Sequence, residues 1–292
     1  MCFACMTMAS CKEDPVKVDV KDITTNYYPA PTDTTSEASL RRDFYAEYGS
    51  FLLFNDTLQH YATGQDVNGD THYFTEKLDI QYEIGISTMP SAKFTFTLLN
   101  DYSLKSDAVS YLKEYILCHL TGKLLPYSWL LVDKITRDFN GNISSPYAAT
   151  GQNCVVVACN MLPRLKPSQK TQFTSQVMNT IIAKLVTDNA AAFDDFYAIS
   201  SAYYDGTFKA PSTTAENLKQ LNAAGFICQG QNDIGANAMG YYPSQELDVA
   251  AFARLVVANS EETLQSKYET WTLVLQKCNV MRKILTNLGY QF

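Results

Sequence analysis

Metal binding and proton transfer by histidine need imidazoles brought close together, and this chain has only His60, His72 and His119. No two lie within a helical turn of each other, so no local pair of zinc ligands exists. Of the eight cysteines, Cys2, Cys5 and Cys11 crowd the first eleven residues. Cys118, Cys154, Cys159, Cys228 and Cys278 are scattered without a Cys-x-x-Cys pair, and are expected to be small buried hydrophobes. Asp66-Val67-Asn68-Gly69-Asp70 and Asp138-Phe139-Asn140-Gly141-Asn142 have the flavour of calcium loops. Neither has the full acid pattern or a terminal Glu, so both are expected to be turns. The acidic pairs Asp194-Asp195 and Glu261-Glu262 read as helix starts, where carboxylates offset the dipole. No Gly-x-Gly-x-x-Gly, phosphate loop or Gly-x-Ser-x-Gly elbow occurs. The 19 tyrosines could line a sugar- or peptide-binding surface, but their scatter favours structural use.

The elements that would carry these residues follow from patterning. The chain has 292 residues, 46% of them hydrophobic and 18% charged, enough for a sizeable core. A net charge of −7 excludes the basic stripe that nucleic acid requires. No run of 18 apolar residues is present to span a bilayer as a helix. Phe51-Leu52-Leu53-Phe54, the alternation of Phe94, Phe96 and Leu98, Trp129-Leu130-Leu131-Val132 and Val155-Val156-Val157 predict strands. Residues 108–120 carry a helical spacing. In the second half, Phe173, Val177, Ile181 and Leu185 recur every four residues. Leu247, Ala250, Ala251, Leu255 and Ala258 form another stripe, with Ser244 as its N-cap. A last helix is predicted over 262–288, closed by Gly289. Strands first and helices after predict an α+β domain.

Met8-Ala9-Ser10-Cys11 is similar to a bacterial lipobox, in which small residues precede a cysteine that is lipidated. The Lys12-Glu13-Asp14 that follows resembles the acidic surface-export signal of lipoproteins from the Bacteroides group; the plain alternative is a solvated linker. The expected organisation is a truncated lipoprotein signal segment at 1–11, a flexible tether at 12–38 rich in Thr, Pro and Asp, and one domain at 39–292.

Several blocks in order carry a family resemblance. They are Phe44-Tyr45-Ala46-Glu47-Tyr48-Gly49 before the first strand, Leu125-Pro126-Tyr127-Ser128-Trp129-Leu130-Leu131-Val132-Asp133, and Gly151-Gln152-Asn153 before the valine strand. The helix from Phe173, Phe193-Asp194-Asp195-Phe196-Tyr197-Ala198-Ile199-Ser200, Tyr241-Tyr242-Pro243-Ser244, Phe252-Ala253 and Gly289-Tyr290-Gln291-Phe292 follow. From about residue 40 to 292 the chain resembles the zinc-binding metallopeptidase-like lipoproteins of Bacteroides and relatives. The resemblance implies a zincin-like fold with a strand-rich N-terminal half and a helical C-terminal half.

In that family His-Glu-x-x-His places two zinc ligands on one helical face, the Glu acts as general base, and a downstream Glu completes the tripod. Carried over by helix register, the first His falls on Thr180, the base on Ile181, the second His on Lys184 and the third ligand on Arg254. All four have changed, so neither catalysis nor a bound metal or other cofactor is expected. Lys184 and Arg254 would repel a dication, at roughly 4 kcal/mol per unit-charge pair at 4 Å in an intermediate dielectric. A register one residue away restores no histidine either. The register expects these residues to converge in one cleft, where the two cations bind an anionic group or Arg254 pairs with Asp194 or Asp248; their dispersal would count against the resemblance and the zincin-like fold it implies. The leading expectation is a lipid-anchored outer-membrane or cell-surface protein, a non-catalytic accessory for glycan or peptide uptake. Its partners would be a glycan, a peptide, a partner lipoprotein or an outer-membrane transporter. Two alternatives stand beside it: a hydrolase with an unrecognised site, and a structural component of a surface complex.

Overall fold

Capping side chains and turn glycines set most of the element boundaries. The computed structural model describes residues 26–78, 80, 92–209, 214–228 and 239–292. Helix α1 (Ser36–Tyr48) starts where the Thr35 hydroxyl accepts from the Ala38 amide, and stops at the left-handed Gly49. Strand β1 (Phe51–Leu53) follows, then a hairpin of β2 (Thr57–Gln65) and β3 (Thr71–Lys77). Its tip is the expected turn: the Asp66 carboxylate accepts from the amides of Asn68 and Asp70 at 2.8 and 2.9 Å. Next come β4 (Lys93–Leu98), α2 (Tyr102–Tyr115), β5 (Ser128–Phe139), β6 (Asn142–Ser144), β7 (Ala148–Thr150) and β8 (Cys154–Ala158). The predicted helix at 108–120 thus begins six residues earlier, because Asp101 caps it through the Leu104 amide, and its last turn tightens to a 3-10 turn at Leu117–His119. The β5–β6 turn is the second Asp-Asn-Gly loop, with Asn140 and Gly141 both at positive φ.

The second half holds α3 (Pro167–Asp188), α4 (Asp194–Ala198), β9 (Thr207–Lys209), α5 (Thr214–Ala223), β10 (Met239–Tyr241), α6 (Gln245–Ala258), α7 (Glu261–Tyr268) and α8 (Thr272–Leu288). Ser244 caps α6 through the Leu247 amide, and Gly289 ends α8 at φ 110°, both as expected. The single helix expected over 262–288 is two. Trp271 leaves helical geometry between two threonines, whose branched side chains tolerate the break better than most. The architecture is mixed α+β, strand-rich in its N-terminal half and helical in its C-terminal half.

The main sheet runs β1-β5-β8-β7, with β4 and β6 on the outer half of β5. The first five residues of β5 run parallel to β8, and the first three of them also pair in parallel with β1, with Leu52 opposite Trp129 and Trp129 opposite Val155. Both faces of this stretch are covered, so it reads as an unbroken apolar run. The pleat sends Trp129 and Leu131 into the main core, with α3, α6 and α8, and Leu130 and Val132 into a smaller one with Leu53, Leu58 and Leu78. The main core joins Phe44 of α1 to Leu285 of α8. Of the expected tether, residues 12–25 lie outside the described residues, whereas 26–38 are docked. The Asn26 amide bonds the Leu58 carbonyl at 2.8 Å, Tyr27 packs on Phe51, and α1 has begun by Ser36.

Candidate functional site

Helix α3 presents two polar-edged concavities on opposite sides. One is a groove against α6, bordered by Asn179, Ile182, Ala183 and Val186 of α3 and by Ala253 and Arg254 of α6, with Glu246 at its end. The other is a cavity of about 180 Å³ between the C-terminal half of α3 and the starts of β5 and β8. Lys184 borders this second cavity and Arg254 the first. The expected convergence of Thr180, Lys184 and Arg254 in one cleft therefore does not occur. The reason is angular: at 100° per residue, positions 181, 184, 185 and 188 share one side of α3, and 179, 182, 183 and 186 the other.

Each implied position has a local explanation. The Thr180 hydroxyl donates back to the Gln176 carbonyl at 3.0 Å, a bond within the helix. Ile181 is buried core. Lys184 pairs with Asp188 one turn on, at 2.9 Å. Arg254 is exposed, so the expected burial of its guanidinium is corrected. The buried face of α6 is Val249, Phe252, Ala253 and Val256 rather than the stripe through Leu247, Ala250 and Leu255, because it places the large Phe252 and two valines inside. The acids expected to meet Arg254 are elsewhere. Asp194 is exposed, and Asp248 is committed to α8.

That commitment is a buried polar centre which the sequence reading missed. Lys277 Nζ lies 2.6 Å from Asp248 Oδ2, with both side chains fully buried. The Tyr204 hydroxyl donates to the same oxygen at 2.7 Å, and Lys277 also reaches that hydroxyl at 3.2 Å. The ammonium sits over the rings of Phe226, Phe196, Tyr204 and Phe252, at 4.2–5.5 Å from their centroids. Burial pushes the Asp248 carboxyl up and the Lys277 ammonium down, each shift opposed by the attraction between the two. Burial and the Asp248 charge push the nearby Cys228 thiol up to about 11. Asp248 Oδ1 has no hydrogen-bond partner among the described residues. A signal was present: Lys277 sits beside Cys278 in a stripe with Val274, Met281, Ile284 and Leu288. A lysine inside such a stripe needs a buried acid.

The cysteines divide. Cys154, Cys159 and Cys278 are buried as expected, whereas Cys118 is exposed and Cys228 half-buried. Cys11, expected to carry the lipid, lies outside the described residues, as do Cys2 and Cys5. Among the described residues no group of three His, Cys, Asp or Glu side chains is placed to hold a metal ion, and no helix is long and apolar enough to cross a membrane.

The wall of the larger cavity is anchored from behind. The buried Ser50 hydroxyl donates to the Pro126 carbonyl at 2.5 Å, and the buried Ser128 hydroxyl to the Asn153 carbonyl at 2.7 Å. The Phe51 amide donates to the Tyr127 carbonyl at 3.0 Å. The cavity is lined by Lys123 and Tyr127 on one side, by Gln152 and Asn153 at the rim, and on the helix side by Asn189, whose amide nitrogen donates to the Leu185 carbonyl at 3.1 Å. A scan against family models, a search of curated proteins and a search of solved structures each find no match to this chain.

Proposed function

We propose that this chain is a non-catalytic binding protein on a zincin-like scaffold, carried by a lipid on Cys11 at the outer membrane or cell surface. There it serves as an accessory for glycan or peptide uptake. The observation that carries the reading is the composition of the α3–α6 groove. In a metallopeptidase of the resembled family, two helices would bring the ligands and base together in such a groove. Here Asn179 and Ala183, one turn apart, face Arg254 across it. A register one residue toward the N-terminus of α3 puts Asn179 and Ala183 in place of the two His; the base then falls on Thr180, which is not among the groove's lining residues and whose hydroxyl donates to the Gln176 carbonyl. An amide, a hydroxyl, a methyl and a guanidinium neither hold zinc nor activate water.

The test is metal content of the purified protein by mass spectrometry, with casein cleavage assayed with and without a chelator. The expected result is substoichiometric zinc and no chelator-sensitive cleavage; stoichiometric zinc with cleavage overturns the reading. Metabolic labelling with a palmitate analogue tests the anchor. Label lost in Cys11→Ser supports it, and label unchanged in that variant removes it.

A further inference from the structure

The cavity beside Lys184 joins a ribbon of aromatic rings. Tyr28 packs on Tyr45, Tyr45 stacks on Phe51 at 4.6 Å, and Phe51 meets Tyr127 at 5.1 Å between centroids. Tyr127, which is 54% exposed, is at once the end of this ribbon and a wall of the cavity. Tyr28 and Tyr45 are exposed too, so the ribbon forms a surface leading to an opening. The opening is cationic in an otherwise acidic chain, with two lysines against one aspartate. Asp188 is engaged by Lys184, which leaves Lys123 without a carboxylate partner among the described residues. Three main-chain acceptors at the rim are already engaged, since the carbonyls of Pro126, Tyr127 and Asn153 accept bonds from within the protein. A peptide added as a strand would find those three acceptors occupied. What remains is an exposed ring face, the side-chain amides of Gln152 and Asn153, the amide oxygen of Asn189, whose nitrogen donates to the Leu185 carbonyl at 3.1 Å, and the Lys123 ammonium.

We propose that this cavity, with the ring ribbon leading to it, binds an acidic unit of an oligosaccharide. The uronate carboxylate pairs with Lys123, the sugar ring lies on Tyr127, and its hydroxyls bond the amides of Gln152 and Asn153 and donate to the amide oxygen of Asn189. Exposed aromatic faces accept the C–H side of a sugar, and amides match hydroxyls as both donor and acceptor. The serine-anchored wall keeps the groups in place before binding, which lowers the ordering cost. The following units run out over Phe51 and Tyr45. The inference rests on the binding reading above and gives it a ligand class.

Isothermal calorimetry on the whole protein tests it, with trimers of galacturonate, mannuronate and guluronate set against maltotriose and an acetylated Ala-Glu-Ala amide. At least one uronate trimer is expected to bind, and to bind about tenfold more tightly than maltotriose and the peptide. Lys123→Ala is expected to weaken that trimer about tenfold while Lys123→Arg retains it, and Tyr127→Ala to weaken it to a similar extent. Arg254→Ala, on the other side of α3, should leave binding unchanged. Binding of no uronate trimer, equal binding of maltotriose, tighter binding of the peptide, or insensitivity to Lys123→Ala each overturns the proposal and leaves the non-catalytic reading standing. Cleavage of a bound trimer, followed by chromatography of the products, would instead overturn the non-catalytic reading.

Discussion

The buried Asp248–Lys277 pair makes opposite demands on pH when either partner is removed. Lys277→Met leaves the Asp248 carboxyl in a fully buried site with only the Tyr204 hydroxyl as donor. Losing one member of a buried pair costs about 3–5 kcal/mol, which for a chain of this size lowers the melting temperature by roughly 5–8 °C. The orphaned group can escape part of this cost by becoming neutral. Burial already raises the Asp248 carboxyl, and without Lys277 it rises further. The folded state then holds its proton above the pH at which the unfolded chain releases it. Stability is therefore fullest below the ordinary carboxylate range and falls as pH climbs through the raised value, by at most about 1.4 kcal/mol per pH unit. Asp248→Asn does the reverse. It leaves Lys277, already pushed down by burial, as an unpaired ammonium that folds best without its proton. Stability of that variant falls as pH drops through the lowered value and recovers toward the ordinary lysine range. Thermal melts of both variants from pH 5 to pH 9 should slope in opposite directions. The double variant Asp248→Leu/Lys277→Met should recover most of the loss, because the flexible thioether fits among the rings that surround Lys277. Single variants melting within about 1 °C of the parent, or slopes of the same sign, would refute this account of the centre.

Gly289→Ala should cost about 3 kcal/mol or prevent folding, since a Cβ there would stand 1.9 Å from the Thr121 carbonyl at a φ of 110°. Gly141→Ala has positive φ but open space and should cost about 1 kcal/mol; equal melting of the two variants would show that the close approach is unimportant. Alkylation of the native protein, mapped by mass spectrometry, should mark Cys118 first among the five described cysteines and spare Cys154, whose thiol burial pushes up to about 12, together with Cys159 and Cys278, until the chain unfolds. Early labelling of Cys154 would place it outside the core. Arg254→Ala should shift stability by no more than about 0.5 kcal/mol, as for any exposed residue without a buried partner, and a loss of several kcal/mol would restore the buried-arginine reading. Grafting Asn179→His, Ala183→His and Arg254→Glu together should create a zinc site measurable by metal titration, and failure of the folded triple variant to bind zinc would count against the shifted register.

The sequence was legible where one residue type decides local geometry. Ser244, Gly289 and the two Asp-Asn-Gly loops set a cap, a helix end and two turns without outside help. The apolar runs at Trp129 and Val155 read as strands for the same reason. Helix faces were harder. On α6 two stripes compete, and the one chosen by counting apolar positions carried Arg254 inward, whereas the sheet and α8 select the stripe bearing Phe252. That choice rests on side-chain volume across elements far apart in sequence, which periodicity does not weigh. The same limit hid the polar centre, because Tyr204, Asp248 and Lys277 come from three separate segments. It also hid the cavity, whose wall depends on Ser50 reaching a carbonyl 76 residues away.

The bonds between residues 119–121 and 289–291 set a timetable for the growing chain. The Thr121 amide and hydroxyl both donate to the Gly289 carbonyl, and the Gln291 amide donates to the His119 carbonyl. At about 5–20 residues per second, a ribosome takes roughly 10–30 s to deliver the second set after the first. Over that interval the inner face of the sheet, with Trp129, Leu131, Val155 and Val157, exists without α8 to cover it. Such long-range closure makes folding slow and late. Until residues 289–291 have been made, the sheet keeps an uncovered apolar face, so a holding factor that shields the sheet residues should raise the yield of folded protein more than one acting on the helical half.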